Sequence, residues 1–201
     1  MLLRTRRQRP RVLAAVLLIC LAGSPCRGEV ITYTVKKGDS LWAIAKRHKT
    51  AVPFLRQLNG LKGDRLAVGQ NLRVCRGPVK IVVDKSECML RIYSGKDLLS
   101  EFRVAVGPGE KTPVGTYKIK TKLVYPQWTH PVTKEVIKYG DPRHEIGTRW
   151  MGIGNGLGIH GTNDPSSIGK AVSRGCIRMH NAEVESIFWA IPRGTVVEIR
   201  E

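Results

Sequence analysis

His160 stands sixteen residues ahead of Cys176, and the cysteine sits in the run Ser173-Arg174-Gly175-Cys176-Ile177-Arg178. A cysteine attacks as its thiolate, so a nearby group must accept the proton or lower the thiol pKa, and His160 is suited to that task. Gly175 permits a tight turn beside the thiol, and main-chain amides there are placed to meet an oxyanion. Arg174 and Arg178 bring two permanent positive charges, which favour a thiolate and suit a substrate carboxylate. These types and spacings point to acyl transfer by a thiol with its base. If Gly154–His160 is a strand running towards the site and Ser173–Arg178 a turn and returning strand, the two side chains meet.

Other chemistries are less well supported. A zinc site from Cys176, His180 and His160 has neither a second cysteine pair nor a His-Glu helix motif beside it, so no metal is expected. Gly156-Leu157-Gly158-Ile159-His160-Gly161 satisfies the GxGxxG spacing, but Asn163-Asp164-Pro165-Ser166-Ser167 cannot open the helix that a dinucleotide site requires. His130, His144 and His180 read as surface or capping residues. Trp128, Trp150 and Trp189 read as packing, with Trp128 able to line a peptide groove.

The chain has 201 residues and a formal net charge of +18. That charge is spread out, with nine Lys and Arg against three Asp and Glu in residues 29–75, and nineteen against thirteen in residues 76–201. No basic tail and no nucleic-acid-binding module accompany it, so an anionic envelope polymer or membrane surface fits better than nucleic acid. Residues 1–28 combine an arginine-rich start with the apolar run Val12–Leu21 and small residues after it, the pattern of a secretory signal. The apolar run is shorter than the ~18 residues of a usual membrane span. Beyond residue 28 the chain has Cys75, Cys88 and Cys176. Cys75 and Cys88 form either a disulfide or two structural thiols, and Cys176 is the odd one.

Residues 32–75 make one small unit. Thr32–Val35 alternates as a strand, and Gly38-Asp39-Ser40 is a turn ending in a helix N-cap. Leu41, Ile44 and Ala45 share a helix face, and Val52, Leu55 and Leu58 mark a second helix that stops at Asn59-Gly60. Gly69–Val74 supplies a turn and a closing strand. This βααβ order, with Tyr33, Val35, Gly38, Asp39, Ser40, Leu41, Leu55, Asn59, Gly69, Gln70 and Leu72 at matching positions, resembles the LysM module. The resemblance implies binding of N-acetylglucosamine-containing glycan in a shallow groove at Gly38, Asp39, Ser40, Asn59, Gly60 and Leu61.

From residue 79 the pattern changes to β-branched strands: Lys80–Val83, Met89–Tyr93, Leu98–Val106, Thr116–Thr121 and Val196–Ile199. One helix is expected over Ala182–Ala190, with Asn181 as N-cap. Residues 79–200 therefore read as a mainly β domain, a sandwich or open barrel, and the whole chain as α+β. The long segment Leu123–Trp150 reads as a flap over the site.

His160-Gly161-Thr162 and Ser173–Met179, together with Val106-Gly107, Thr112-Pro113, Gly115, Tyr117 and Gly147–Gly152, resemble the L,D-transpeptidase (YkuD) catalytic domain over residues 79–200. The resemblance implies an exported enzyme without a cofactor. Its Cys176 would take the acyl group of a peptidoglycan stem tetrapeptide, releasing D-alanine, and pass it to an amine on another stem or an envelope protein. It assigns Cys176 as nucleophile, His160 as base and then acid, Gly161 carbonyl as orienter of the imidazole, and the Gly175 and Cys176 amides as oxyanion donors. Arg174, Arg178, Ser173 and Thr112 become substrate contacts. Many members carry histidine where Arg174 stands, which leaves His160 as sole proton carrier. A cell-wall hydrolase pairing LysM with a cysteine places that cysteine before the histidine, against the order here. A non-catalytic peptidoglycan-binding protein is the other alternative. Oligomeric state is left open.

Overall fold

The computed structural model describes residues 29–201 apart from 49 and 51. The signal segment expected at 1–28 lies outside the described residues.

In the N-terminal unit β1 (Glu29–Thr34) pairs antiparallel with β2 (Asn71–Arg76), and α1 (Leu41–Arg47) and α2 (Val52–Leu58) lie between them in sequence. Ser40 caps α1, its Oγ accepting from the Ala43 N–H at 3.1 Å. Such a cap satisfies one of the donors a helix leaves free at its start. Val35, Leu41, Ile44, Ala45, Leu55, Leu72 and Val74 form the unit's own core. Phe54 and Leu58 of α2, however, belong to the large core of the second unit, as does Cys75 of β2. The two units thus share buried apolar surface.

The second unit begins with β3 (Val79–Asp84), β4 (Met89–Ser94) and β5 (Asp97–Arg103), an antiparallel meander. With β6 (Gly115–Lys118) and the last strand, β13 (Val196–Arg200), they make a sheet of order β5-β4-β3-β13-β6. β13 runs parallel to β3 and antiparallel to β6. A second sheet, of order β12-β11-β10-β7, contains β7 (Thr121–Val124), β10 (Arg149–Gly154), β11 (Leu157–His160) and β12 (Ile177–Arg178). The flap carries its own hairpin, β8 (Trp128–Thr129) with β9 (Val136–Ile137). Ile81, Val83, Leu90, Ile92 and Ile199 from the first sheet and Met151, Ile153, Ile159 and Ile177 from the second share one core. Val184, Ile187 and Phe188 of α3 (Asn181–Phe188) complete it. The alternation of β-branched residues in the sequence becomes the inward faces of this sandwich.

Three local expectations change. The strand read as Leu98–Val106 ends at Arg103, because the chain then crosses to the second sheet, where Ala105 and Arg178 exchange both N–H···O bonds at 2.9 Å. The strand read as Thr116–Thr121 splits at the same kind of corner. The Ile119 N–H bonds back to Thr195 while the Lys120 N–H bonds to Gly152 of the second sheet. Asn181 is the first residue of α3 rather than its cap, which is His180. Cys75 and Cys88 are free, buried thiols rather than a disulfide, and burial pushes both thiols up.

Candidate active site

β11 and β12 run parallel, with Ile159 opposite Ile177 and His160 opposite Arg178. Both isoleucines point into the core and are fully buried, so the residues flanking them face the other way. That alternation puts Gly158, His160, Cys176 and Arg178 on one surface. His160, Cys176 and Arg178 line a cleft of about 450 Å³, roofed by Trp128, Thr129 and Pro131 of the flap. The flap expected from the length of 123–150 is therefore a wall of the cleft.

His160 is buried, and its Nδ1 is hydrogen-bonded to the Gly161 carbonyl. With Nδ1 donating, Nε2 is the free lone pair. Trp150, opposite His160 across β10 and β11, stacks on the imidazole with ring centres 5.6 Å apart and planes 21° from parallel. Its indole lies so close over Gly158 that a Cβ there would fall 2.6–2.8 Å from the ring, tighter than any real contact. Burial lowers the His160 pKa to about 4; the Gly161 bond opposes this, while the Arg178 charge adds to it.

The Cys176 thiol is half-buried and its Sγ lies 3.6 Å from the Gly156 carbonyl. Burial pushes its pKa above the ordinary value, and a hydrogen bond from the Gly158 amide and the charges of Arg178 and Arg174 only partly offset that. Burial thus favours the neutral thiol and the neutral imidazole on the wall of the one cleft. The two arginines do favour the thiolate, as their charge requires, but burial outweighs them, and a flap carboxylate weakens them further. Glu145 accepts from Arg174 at 2.6 Å and lies 3.4 Å from Arg178, so a flap carboxylate offsets part of their charge.

The other residues singled out are present but differently employed. Thr112 is fully buried, its hydroxyl donating to the Gly175 carbonyl at 2.8 Å and accepting from the Gly107 N–H at 2.7 Å. It positions the cysteine turn and cannot touch substrate. Ser173, which lines the cleft, braces the turn from the other side: its Oγ donates to the Cys176 carbonyl at 2.6 Å and accepts from the Gly175 N–H at 3.1 Å. The Gly175 amide is thereby taken up and is not available to an oxyanion. Gly175 has φ 134° and lies against the Lys111 carbonyl, where a Cβ would come within 2.5 Å. Only glycine fits that turn.

Sequence reasoning missed three supports. Glu145 has no local signal, because its partners are 29 and 33 residues away. Asn181 accepts from the Thr148 N–H at 3.1 Å and donates to the Thr162 carbonyl at 3.0 Å, tying the flap's base to the loop after His160. His144, read as surface or cap, is buried and bonded through Nε2 to the Pro126 carbonyl at 2.7 Å, pinning the flap. His130 Nδ1 accepts from the Thr133 N–H at 3.1 Å within the flap hairpin.

In the N-terminal unit the six glycan candidates lie on two loops, and the side chains of Asp39, Ser40 and Asn59 are occupied. Asp39 accepts from the Tyr33 hydroxyl at 2.6 Å and the Lys36 N–H at 2.9 Å, and Ser40 caps α1. Asn59 donates to the Leu55 and Arg73 carbonyls and accepts from the Arg73 N–H. Gly38, with φ 87°, and Gly60, with φ 61°, are exposed, and Leu61 is half-buried.

The L,D-transpeptidase catalytic domain (YkuD) profile matches residues 78–199, and the LysM profile matches residues 33–74. The chain belongs to the YkuD family of L,D-transpeptidases. It is 36% identical over 179 residues to the YkuD protein of Bacillus licheniformis, named as an L,D-transpeptidase, covering 85% of this chain and 99% of that one. Its fold is similar to that of an L,D-transpeptidase from Mycobacterium tuberculosis, with a TM-score of 0.52 and 20% identity over 67% of this chain and 64% of that one. L,D-transpeptidase 3 of the same organism, solved with a faropenem-derived adduct, gives a TM-score of 0.52 and 21% identity, covering 68% and 66%. The β-sandwich and the preceding LysM unit are thus those of a cell-wall-associated, peptidoglycan-binding L,D-transpeptidase. Among the described residues no helix is long and apolar enough to cross a membrane.

Proposed function

We propose that Cys176 is the nucleophile and His160 the base of an exported L,D-transpeptidase that forms a thioester with a stem tetrapeptide. The observation that carries this reading is the parallel β11–β12 register, which sets both side chains on the wall of one cleft. On arrival of the donor, the Sγ proton passes to Nε2 of His160 as Sγ attacks the carbonyl ahead of the terminal D-alanine. The Cys176 amide meets the oxyanion; the Gly175 amide is replaced in that role because Ser173 holds it. Collapse breaks the C–N bond, and His160 returns its proton to the departing D-alanine nitrogen. An acceptor amine then loses its proton to His160 and attacks the thioester; the C–S bond breaks and His160 returns that proton to the departing Sγ. Throughout, the Gly161 carbonyl keeps the imidazole in one tautomer.

The LysM unit docks the enzyme on glycan through the exposed main chain at Gly38 and Gly60 and the half-buried Leu61, with Asp39, Ser40 and Asn59 shaping the two loops. The acceptor is an amine of a neighbouring stem or of an envelope protein. Cys176→Ala should abolish the mass increase produced by a faropenem-type β-lactam and the change in muropeptides produced from isolated tetrapeptide stems, with the circular dichroism unchanged. Retained acylation in that variant would overturn the assignment.

A further inference from the structure

We propose that Glu145 is a built-in stand-in for the carboxylate of the acyl donor: it fills the Arg174–Arg178 fork until a donor ending in a free carboxylate displaces it. The proposal rests on the acyl-donor reading above and adds how the site selects that donor.

The fork stands at the boundary of two clefts. One is the cleft of Cys176 and His160; the other, of about 620 Å³, runs beneath the far side of the flap hairpin, and Glu145, Arg174 and Arg178 line both. Glu145 engages the two guanidinium groups through the same oxygen, Oε2. Two positive charges thus share one negative charge, and the fork keeps a net attraction for a second anion. Arg178 is largely covered, with 15% of its side chain exposed, while 52% of Arg174 is exposed as it lies over the Trp128 ring. A guanidinium pair in such a place favours a carboxylate partner, and Glu145 supplies one in the absence of ligand.

Displacement needs only a side-chain rotation. The main chain on either side of Glu145 is fixed: His144 and Ile146 are buried, and His144 holds the Pro126 carbonyl. Gly147, with φ 58°, lies flush against Gly161 and Thr162, where a Cβ would come within 2.6 Å of the Gly161 carbonyl carbon. The Glu145 side chain itself is 28% exposed and reaches solvent without moving that backbone. Exchange of one carboxylate for another leaves neither arginine unpaired before or after binding. The incoming group sits where the leaving amino acid of a tetrapeptide carries its terminal carboxylate. A donor extended by one more residue, or ending in a carboxamide, offers an amide there and fails to displace Glu145.

The test is binding, measured by calorimetry at pH 7 in Cys176→Ala protein so that no turnover intervenes. The ligands are a stem tetrapeptide and its C-terminal carboxamide. The free acid should bind about tenfold more tightly than the amide, the scale of one charge-assisted hydrogen bond. Adding Glu145→Gln, which keeps the shape and removes the competing charge, should tighten the acid several-fold and leave the amide unchanged within about twofold. Adding Arg174→Gln instead should erase the preference for the acid. Equal affinity for acid and amide in Cys176→Ala protein, or a Glu145→Gln effect that moves both ligands together, would overturn the proposal. Acylation of the native thiol by a β-lactam is read separately. Its failure would count against the thiol mechanism and leave the binding comparison intact.

Discussion

Replacing His160 by glutamine should remove a specific part of the acid sensitivity of folding. The folded protein holds this imidazole neutral, with its pKa lowered to about 4 by burial, whereas the unfolded chain protonates it near the ordinary 6.5. Between those values the unfolded state binds the extra proton, so stability rises with pH through the window and is lost as pH falls. Taking 6.5 and 4 as the two values, the loss relative to pH 7.5 is about 2 kcal/mol at pH 5 and about 3 kcal/mol at pH 4. Asp39, Asp84, Asp141 and Asp164 carry carboxyls held below their ordinary value, so their losses fall mainly beneath this window. They also cancel when the variant is subtracted. Urea unfolding of both proteins at pH 7.5, 6, 5 and 4 gives the comparison directly, whatever offset the substitution adds at every pH. Parallel curves for the two proteins across that range would refute the neutral, buried imidazole.

The same burial favours the protonated Cys176 thiol, so the thiolate absorbance near 240 nm in wild type minus Cys176→Ala should appear only at alkaline pH, and a thiolate signal below pH 7 would contradict it. Gly158→Ala should displace the Trp150 indole from the imidazole, because the new methyl would occupy ring space. A fall in acylation rate of about tenfold or more, with altered tryptophan fluorescence and little change in glycan binding, is expected. Phe54→Ala, in the shared core, should cost about 3–5 kcal/mol and lower the stability of both units in one unfolding transition. Two separate calorimetric transitions would show instead that the units fold independently.

What could be read in the sequence is what local rules govern. The N-terminal βααβ unit was legible because its signals are caps and short-range periodicity: Ser40 before α1, Asn59-Gly60 after α2. The meander β3 to β5 was legible from alternation, and the gathering of Cys176 and His160 into one cleft from motif and spacing. The failures lie where distant partners decide. Val104–Val106 leaves its sheet because Arg178 and Ser173 offer better-placed hydrogen-bond partners across the sandwich. Thr112 looks like an accessible hydroxyl in the sequence, but Gly107 and Gly175 use both of its capacities. The Gly175 amide looks free until Ser173 is seen to fold back on it. Glu145 is one glutamate among many until the flap brings it to the arginines.

Those distant partners also bear on how the chemistry proposed for Cys176 and His160 would run. A thiol whose pKa burial raises, giving its proton to an imidazole whose pKa burial lowers to about 4, faces an uphill transfer. A free thiolate–imidazolium pair is therefore a rare species in the ligand-free enzyme, and proton transfer is coupled to formation of the carbon–sulfur bond. The imbalance helps in the next step. An imidazolium this acidic, buried beside Arg178, gives up its proton readily, and in the proposed reaction the departing amine nitrogen would take it. Raising the His160 pKa would ease the first transfer and hinder the second. In the proposed mechanism the single proton carrier would thereby be tuned towards expelling the amine, the step that a thiol, being the better leaving group of the two, would otherwise lose to simple reversal.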